Sequence, residues 1–404
     1  MKILFICPYL PFPLISGGHT RVFNSLKHLS RSHQIHLLAY NREPVTWEQE
    51  SELKKYCANL TTIPRPPVFS PGNLAAYLTT GKPFMHVING RNQALVRAID
   101  REAAGWQPDL IHVEHFHMAD CLLRARASQL YPKVIGEQGV EYLILERLAQ
   151  VEKNPVKKLA ARLEARRIKP FEVGICNSFD GCIEVSQEDK EMIEQAGVKK
   201  PVHVAINGVD TGYFASGGKE ATEPSIIFVG TFKFFGNQDA VKWMLSEVWP
   251  QVKLRQPNAR FYIVGNQPPA WLRQVNDPAI EVTGWVSNLA EIMQKCRVVV
   301  APLRMGSGTK LKILEAMSMG KSVVSTGIGA EGIGAVDGRE MLIRDDPRQF
   351  AEAVADCLKD PALAGRLGGN ARLLIQNNFS WEKSAGQLDR AYQETIKTFR
   401  KPNT

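Results

Sequence analysis

Short apolar runs alternate with amphipathic helical stretches along this chain, and the alternation breaks once and then begins again. Few folds accept that pattern. Runs with this spacing are strands buried on both faces of a parallel sheet, and the helical stretches are the crossovers between them. In the first half the strand candidates are Lys2–Cys7, Ile35–Ala39, Leu110–Val113, Lys133–Gly136 and Gly181–Val185, with a further run over Pro201–Ile206. Helical patterns lie between them, as in Thr20–Ser30 and Asn92–Gly105, and Asn154-Pro155 divides the long helical region after Val140 into two helices. A turn-rich linker follows, from Asn207-Gly208 through Ser216-Gly217-Gly218 to Pro224.

Beyond the linker the pattern restarts. Ile226–Val229 ends in Gly230, Phe261–Val264 in Gly265, Ile280–Val282 in Thr283-Gly284, Val298–Ala301 in Pro302 and Ser322–Ser325 in Thr326-Gly327. Strands that all close on Gly, Thr or Pro share one carboxyl edge, where open α/β sheets bind ligands. The expected architecture is α/β, with two Rossmann-like domains facing each other across a cleft. Residues 1–208 form the first and 209–384 the second. A last helix, apolar at Trp381, Ala385, Leu388, Ala391 and Tyr392, is expected to pack back on the first domain over about 385–404.

The chain has 404 residues, 44% of them hydrophobic and 23% charged, which is enough for two independent cores. No apolar run approaches the roughly 18 residues that span a bilayer. The N-terminal run breaks at Pro8, Pro11 and Pro13, so a buried first strand fits it better than a secretory leader. The seven cysteines are scattered and form no CxxC pair, which points to buried thiols in a reducing cytoplasm and to neither zinc nor disulfides. The net charge of +9 is spread over both halves, except between Arg147 and Lys169, where eight basic residues meet only Glu152 and Glu164. That stretch fits a solvated helix face, or a surface drawn to an anionic membrane or a polyanionic substrate.

The chemistry concentrates in Ala301–Met317. A buried strand ends at Pro302, a loop carries Gly306 and Gly308, and a helix begins near Thr309. Glycines let the backbone approach an anion, and a helix start offers free N–H groups and the positive end of its dipole. Arg304, Lys310 and Lys312 add positive charge, so a diphosphate is the natural occupant. Glu315 lies further along the helix on the face of Lys312, where it would meet a ribose. The same spacing also fits a surface residue paired with Lys312.

This segment resembles the retaining glycosyltransferases of family 4, which have the GT-B architecture. Their hallmark is two glutamates separated by seven residues. The second matches Glu315, the ribose ligand in the family; the first falls on Ser307. Ser307, with the N–H groups of Gly308 and Thr309, would then take over contacts to the donor sugar. Ser16-Gly17-Gly18-His19-Thr20-Arg21 is similar to the family's Gly-rich loop after the first strand, which places Gly17, Gly18 and Arg21 near the donor phosphates. Asp109–His117 resembles the strand that delivers a histidine to the site. His112 and Glu114 share one face, and His115 at the strand end is the candidate that positions the donor sugar. Three histidines and a glutamate so close together also suggest a metal site, but the strand-end geometry and the metal-independence of the family argue against one.

The resemblance implies further roles. Glu114, Gln138 and Glu141 fall on the acceptor side, and Glu141 equally suits a helix N-terminus. Lys233 and Asn237 lie after the first strand of the second domain. There the family's Arg and Lys positions hold Thr231 and Gly236, so either Lys233 compensates at the donor or Arg304, Lys310 and Lys312 carry the charge instead, and the helix start favours the second. Gly284 and Trp285 match the loop that reads the base. The implied activity is transfer of a sugar from a nucleoside-diphosphate sugar to a hydroxyl, without cofactor or metal. The expected acceptor is a glycan or lipid-linked molecule of surface-polysaccharide synthesis, met on the cytoplasmic face of a membrane through residues 147–169, and no nucleic acid is expected as partner. Ser307 keeps two alternatives open: a non-catalytic nucleotide-sugar-binding partner subunit and an epimerase of the same fold. A dinucleotide oxidoreductase is disfavoured, because no GxGxxG follows a strand.

Overall fold

The computed structural model describes residues 1–67, 70–90, 92–215, 217 and 223–399. Residues 216 and 218–222 of the expected linker, and 400–404 at the end of the expected last helix, lie outside this set. The chain divides into two compact units, Met1–Ile206 with Ser384–Thr404, and Asn207–Lys383.

The first unit is a parallel sheet of seven strands: β1 (Lys2–Cys7), β2 (Gln34–Asn41), β3 (Asn59–Pro64), β4 (Leu110–Glu114), β5 (Lys133–Gly136), β6 (Gly181–Glu184) and β7 (Val202–Val204). Their spatial order is β3-β2-β1-β4-β5-β6-β7. β1 is central, with Phe5 level with Leu37 on one side and His112 on the other. Being covered on both faces, β1 is apolar throughout except at Lys2. The order reverses between β1 and β4, so the loops after these strands diverge and leave a crevice at their carboxyl ends.

Capping residues fix the helices around this sheet. The Ser16 side chain accepts from His19 N and opens the helix Gly17–Leu29. Asn154 caps the helix Pro155–Asn177, with Pro155 in its first turn, and so separates it from the helix Glu141–Val151. The last helix, Trp381–Thr398, returns to the first unit: Leu388, Ala391 and Tyr392 pack with Ile3, Phe5 and Leu26. All seven cysteines are buried and unpaired.

The second unit repeats the plan with β8 (Ser225–Val229), β9 (Arg260–Val264), β10 (Ile280–Gly284), β11 (Val298–Ala301), β12 (Ser322–Ser325) and β13 (Leu342–Ile343), all parallel, in the order β10-β9-β8-β11-β12-β13. Its reversal lies between β8 and β11. Within this unit the two places where the chain changes unit are held together. Val209 N donates to Phe379 O at 3.1 Å, and a side chain at Gly208 would collide with the backbone of Ser380 and Trp381.

Candidate active site

In the second unit β11 is wholly buried and delivers the chain into a loop that no other residue type would follow easily. Gly306 has φ 133° and Gly308 φ 69°. A side chain at Gly308 would cost about 1–2 kcal/mol in the left-handed region. The loop feeds the helix Leu311–Ser318, whose N-cap, Lys310, makes no side-chain cap. The N–H groups of Leu311 and Lys312 are therefore offered to whatever occupies the crevice, while Ile313 N already donates to Lys310 O at 2.9 Å. The Asn207 amide steadies the loop from below, donating to Thr309 O at 3.2 Å.

Lys312 and Glu315 stand one turn apart on this helix. Lys312 Nζ donates to Asn237 Oδ1 at 2.7 Å and lies 4.5 Å from the centre of the Phe228 ring. Burial lowers Lys312 to about 7, against the attraction of Glu315. Burial likewise raises Glu315 to about 7, against the pull of Lys312. Each group thus titrates near neutrality. Asn237 also donates to Thr231 O at 2.8 Å, and so ties the loop after β8 to the helix after β11 across the point of reversal.

The structure reassigns several expected phosphate ligands. Arg304 is held by Asp239 in a two-pronged pair at 2.6 and 3.0 Å, so a carboxylate already matches its charge. Lys310 turns back on its own loop, donating to Gly308 O at 2.6 Å with Glu331 3.7 Å away. Lys233 is exposed on the loop after β8, and Ser307 is half-buried between the two glycines. Gly284, with φ 72°, and the exposed Trp285 border a groove of about 400 Å³ that Asn266, Gln267, Pro268 and Arg273 also line. Sequence reasoning missed this second wall. Its signal was the Gly265-Asn266 step that ends β9, the same kind of strand ending that marks the other loops.

The first unit builds its crevice from side chains. His112 and Glu114 do share a face of β4: His112 Nε2 lies 3.0 Å from Glu114 Oε2, and Tyr392 Oη meets His112 Nδ1 at 2.9 Å. Gln138 Nε2 donates to Glu114 Oε1 at 2.7 Å and to Tyr9 Oη at 3.2 Å. Burial would raise Glu114, but the hydrogen bond and charge of His112, with the charges of Arg21 and His115, outweigh it and hold the carboxyl at about 2. Gly18 lies in the first turn of the helix Gly17–Leu29, under this network. A Cβ there would come within 2.5 Å of Tyr9 Oη and 2.7 Å of Gln138 Oε1. Gly17 precedes it at the helix start.

Arg21 is corrected. Its guanidinium is buried and donates to Ala205 O at 2.9 Å, so it binds the end of the sheet together instead of facing a phosphate. Glu114 and Gln138 are likewise knitted into the interior. Glu141 opens its helix, where its N–H donates to Glu172 Oε1 at 3.0 Å, and burial raises its carboxyl.

His115 differs from these. It lies just past β4 with φ 67° and ψ 132°, a strained geometry worth about 1–3 kcal/mol. Its N–H donates to Gly136 O at 2.8 Å, which holds it there. Its half-exposed ring has Glu137 Oε2 at 3.7 Å. Glu137 and Glu184, at the ends of β5 and β6, are buried, each with one oxygen lacking a hydrogen-bond partner. Burial drives both well above the usual carboxylate range, followed by the charges of Glu114 and Glu141 at Glu137 and by that of Glu137 at Glu184. Among the described residues no three or more His, Cys, Asp or Glu are grouped to hold a metal ion.

Comparisons with known proteins match both units. A family model described as Glycosyltransferase Family 4 fits residues 15–213, and one described as Glycosyl transferases group 1 fits 223–360. A Klebsiella pneumoniae protein, "Uncharacterized 44.6 kDa protein in cps region", is 23% identical over 95% of this chain and 97% of its own. Among solved structures, sucrose-phosphate synthase from Thermosynechococcus elongatus superposes with a TM-score of 0.75 at 16% identity, over 99% of this chain and 100% of that one. Anabaena HepE in complex with UDP and glucose gives 0.68 at 16%, over 98% and 100%, and S. aureus TarM in complex with UDP gives 0.70 at 11%, over 97% and 100%.

Proposed function

This chain belongs to the family-4 glycosyltransferases of GT-B fold, and from that premise we propose that it transfers a sugar, with retention, from a nucleoside-diphosphate sugar to a hydroxyl of a growing surface glycan. The observation that carries the proposal is the Gly306–Lys310 loop opening the helix of Lys312 and Glu315 at the reversal of the second sheet. The diphosphate sits on the helix start and takes the charge of Lys312, and Glu315 accepts from the ribose hydroxyls. These groups stabilise the negative charge that builds on the leaving group. The base occupies the groove beside Gly284 and Trp285. His115 positions the transferred sugar, and its backbone strain keeps the ring at the edge of the sheet. Relatives named for UDP complexes make a uridine nucleotide the first candidate donor. The relative from a cps region supports polysaccharide synthesis.

A thermal-shift screen against UDP-, GDP-, ADP- and dTDP-sugars tests the donor. One nucleotide class should raise the melting temperature by mass action, and the rise should shrink in Glu315→Gln. No stabilisation by any of the four would sink the proposal. His115→Ala should remove turnover while leaving that shift in place.

The acceptor is met at a membrane. On the helix Pro155–Asn177, Val156, Leu159 and Leu163 are exposed, Val156 to 75%, and exposed Lys157, Arg162 and Arg166 flank them. Leu74 and Leu78 are exposed on the helix Pro71–Thr80, which joins the first through Tyr77 Oη donating to Glu164 Oε2 at 2.8 Å. Apolar residues ringed by basic ones suit the surface of an anionic bilayer. No described helix is long and apolar enough to cross one. Binding to vesicles of zwitterionic lipid as tight as to vesicles with anionic lipid would overturn this docking.

A further inference from the structure

The first sheet ends in a second concentration of charge that the roles above leave unused. Arg42 follows β2 and Arg65 follows the adjacent β3; His117 lies two residues beyond His115, past the end of β4, with β1 between β2 and β4, and it feels the charge of Arg65, so all three lie along one stretch of the carboxyl edge. Arg65 is half-buried, and its Nε is shielded from solvent without a hydrogen-bond partner. His117 is half-buried, and its Nδ1 is in the same condition. Among the described residues no carboxylate pairs with Arg42 or Arg65. Asp120, six residues past β4, already takes both His86 and Lys82. Burial and the charge of Arg42 lower Arg65. Burial, then the charges of His115, His86 and Arg65, lower His117, with no acid opposing them.

The two guanidiniums carry charge that no described carboxylate matches, and the shielded Arg65 Nε and His117 Nδ1 lack hydrogen-bond partners, which is costly unless something arrives to satisfy them. An oxyanion does so, and a guanidinium fork suits one geometrically. We propose that Arg65, Arg42 and His117 form an anion subsite for a phosphate or sugar carboxylate carried by the acceptor, with His115 as its neighbour on the same strand end. This rests on the glycosyltransferase reading of the site and adds a substrate class to it: the acceptor is charged. The hydroxyl to be glycosylated lies on the same molecule as that anion.

The test follows the His117 imidazole signal by NMR, assigned through His117→Asn. Inorganic phosphate and D-glucuronate are titrated in separate arms at constant ionic strength. The expected result is a saturable shift with at least one anion, and a midpoint at least tenfold higher in Arg65→Gln. Phosphate alone identifies a phosphorylated acceptor, and glucuronate alone an acidic sugar. Arg42→Gln should give a smaller shift of the same midpoint, and serves in place of Arg65→Gln if the latter loses its native circular dichroism. No shift with either anion, or an unchanged midpoint in the variants, overturns the subsite. A parallel titration with the UDP-, GDP-, ADP- and dTDP-sugars separates the two proposals. Donor binding that survives while the anion shift is absent removes only the charged acceptor; an anion shift without donor binding removes the transferase reading and leaves an anion site.

Discussion

The two units share a strand order around their central reversal, yet they arm it in opposite ways. The second unit presents mostly backbone: two glycines at positive φ, the open N–H groups of a helix, and one lysine and one glutamate that titrate near neutrality. The first presents side chains already bonded to one another, from Tyr392 through His112, Glu114 and Gln138 to Tyr9. A nucleoside diphosphate has the same shape in every donor, and a fixed backbone cradle suffices for it. An acceptor varies, and a scaffold of side chains can be retuned without moving a strand.

The comparison can be broken most decisively at Lys312. Lys312→Met removes a cation near the helix start that, unlike Arg304 and Lys310, has no carboxylate within ion-pair distance among the described residues. Donor affinity should fall roughly 10- to 100-fold by calorimetry, the 1.5–3 kcal/mol expected of a charged hydrogen bond. A loss below threefold would move the diphosphate elsewhere. Next comes Gly308→Ala, which should weaken the donor by about 1–2 kcal/mol through backbone strain. Gly18→Ala meets only the movable tips of Tyr9 and Gln138 and should leave donor affinity unchanged. Equal effects at the two glycines would erase the distinction between a backbone cradle and a side-chain network.

The pH dependence sharpens the same contrast. Glu315, raised to about 7, must be ionised to accept from a ribose, so donor affinity should fall as pH drops below 7. Lys312, lowered to about 7, must be protonated to meet a diphosphate, so affinity should also fall above 7. The profile is a bell, and Glu315→Gln should remove its acid limb alone. In the first unit the sign concerns stability. Glu137 and Glu184 have raised values, so their contribution is full below about 4.5 and is lost as pH rises through the folded values. Glu184→Gln should therefore melt higher than the wild type at pH 8, with the gap closing toward pH 5. The smallest effect is expected of Tyr392→Phe, a loss of about 1 kcal/mol by denaturant titration with donor binding intact.

Much of the second unit was legible in the sequence because its site is local. Gly306, Gly308, Lys312 and Glu315 lie within ten residues of one another, and helix spacing alone places them. What escaped is what distance along the chain conceals. Nothing near Arg304 announces that Asp239 will neutralise it, nor does anything near Arg21 announce the carbonyl of Ala205. β3 went unread because it is an edge strand with half-exposed residues and no apolar run, and β13 because two residues carry no period. In the first unit the alternation of β4 put His112 and Glu114 on one face. Their partners Tyr392 and Gln138 come from other elements, and no local pattern joins them.

The return of the last helix has a consequence for how the chain is made. Ile3, Phe5 and Leu26 leave the ribosome well before Leu388, Ala391 and Tyr392, which complete their cluster. At about 5–20 residues per second, the second unit can close while the first still waits with an unfinished core. The first unit thus begins before the second and matures after it, and a ribosome stalled before residue 392 holds a finished second unit beside a first unit still lacking part of its interior.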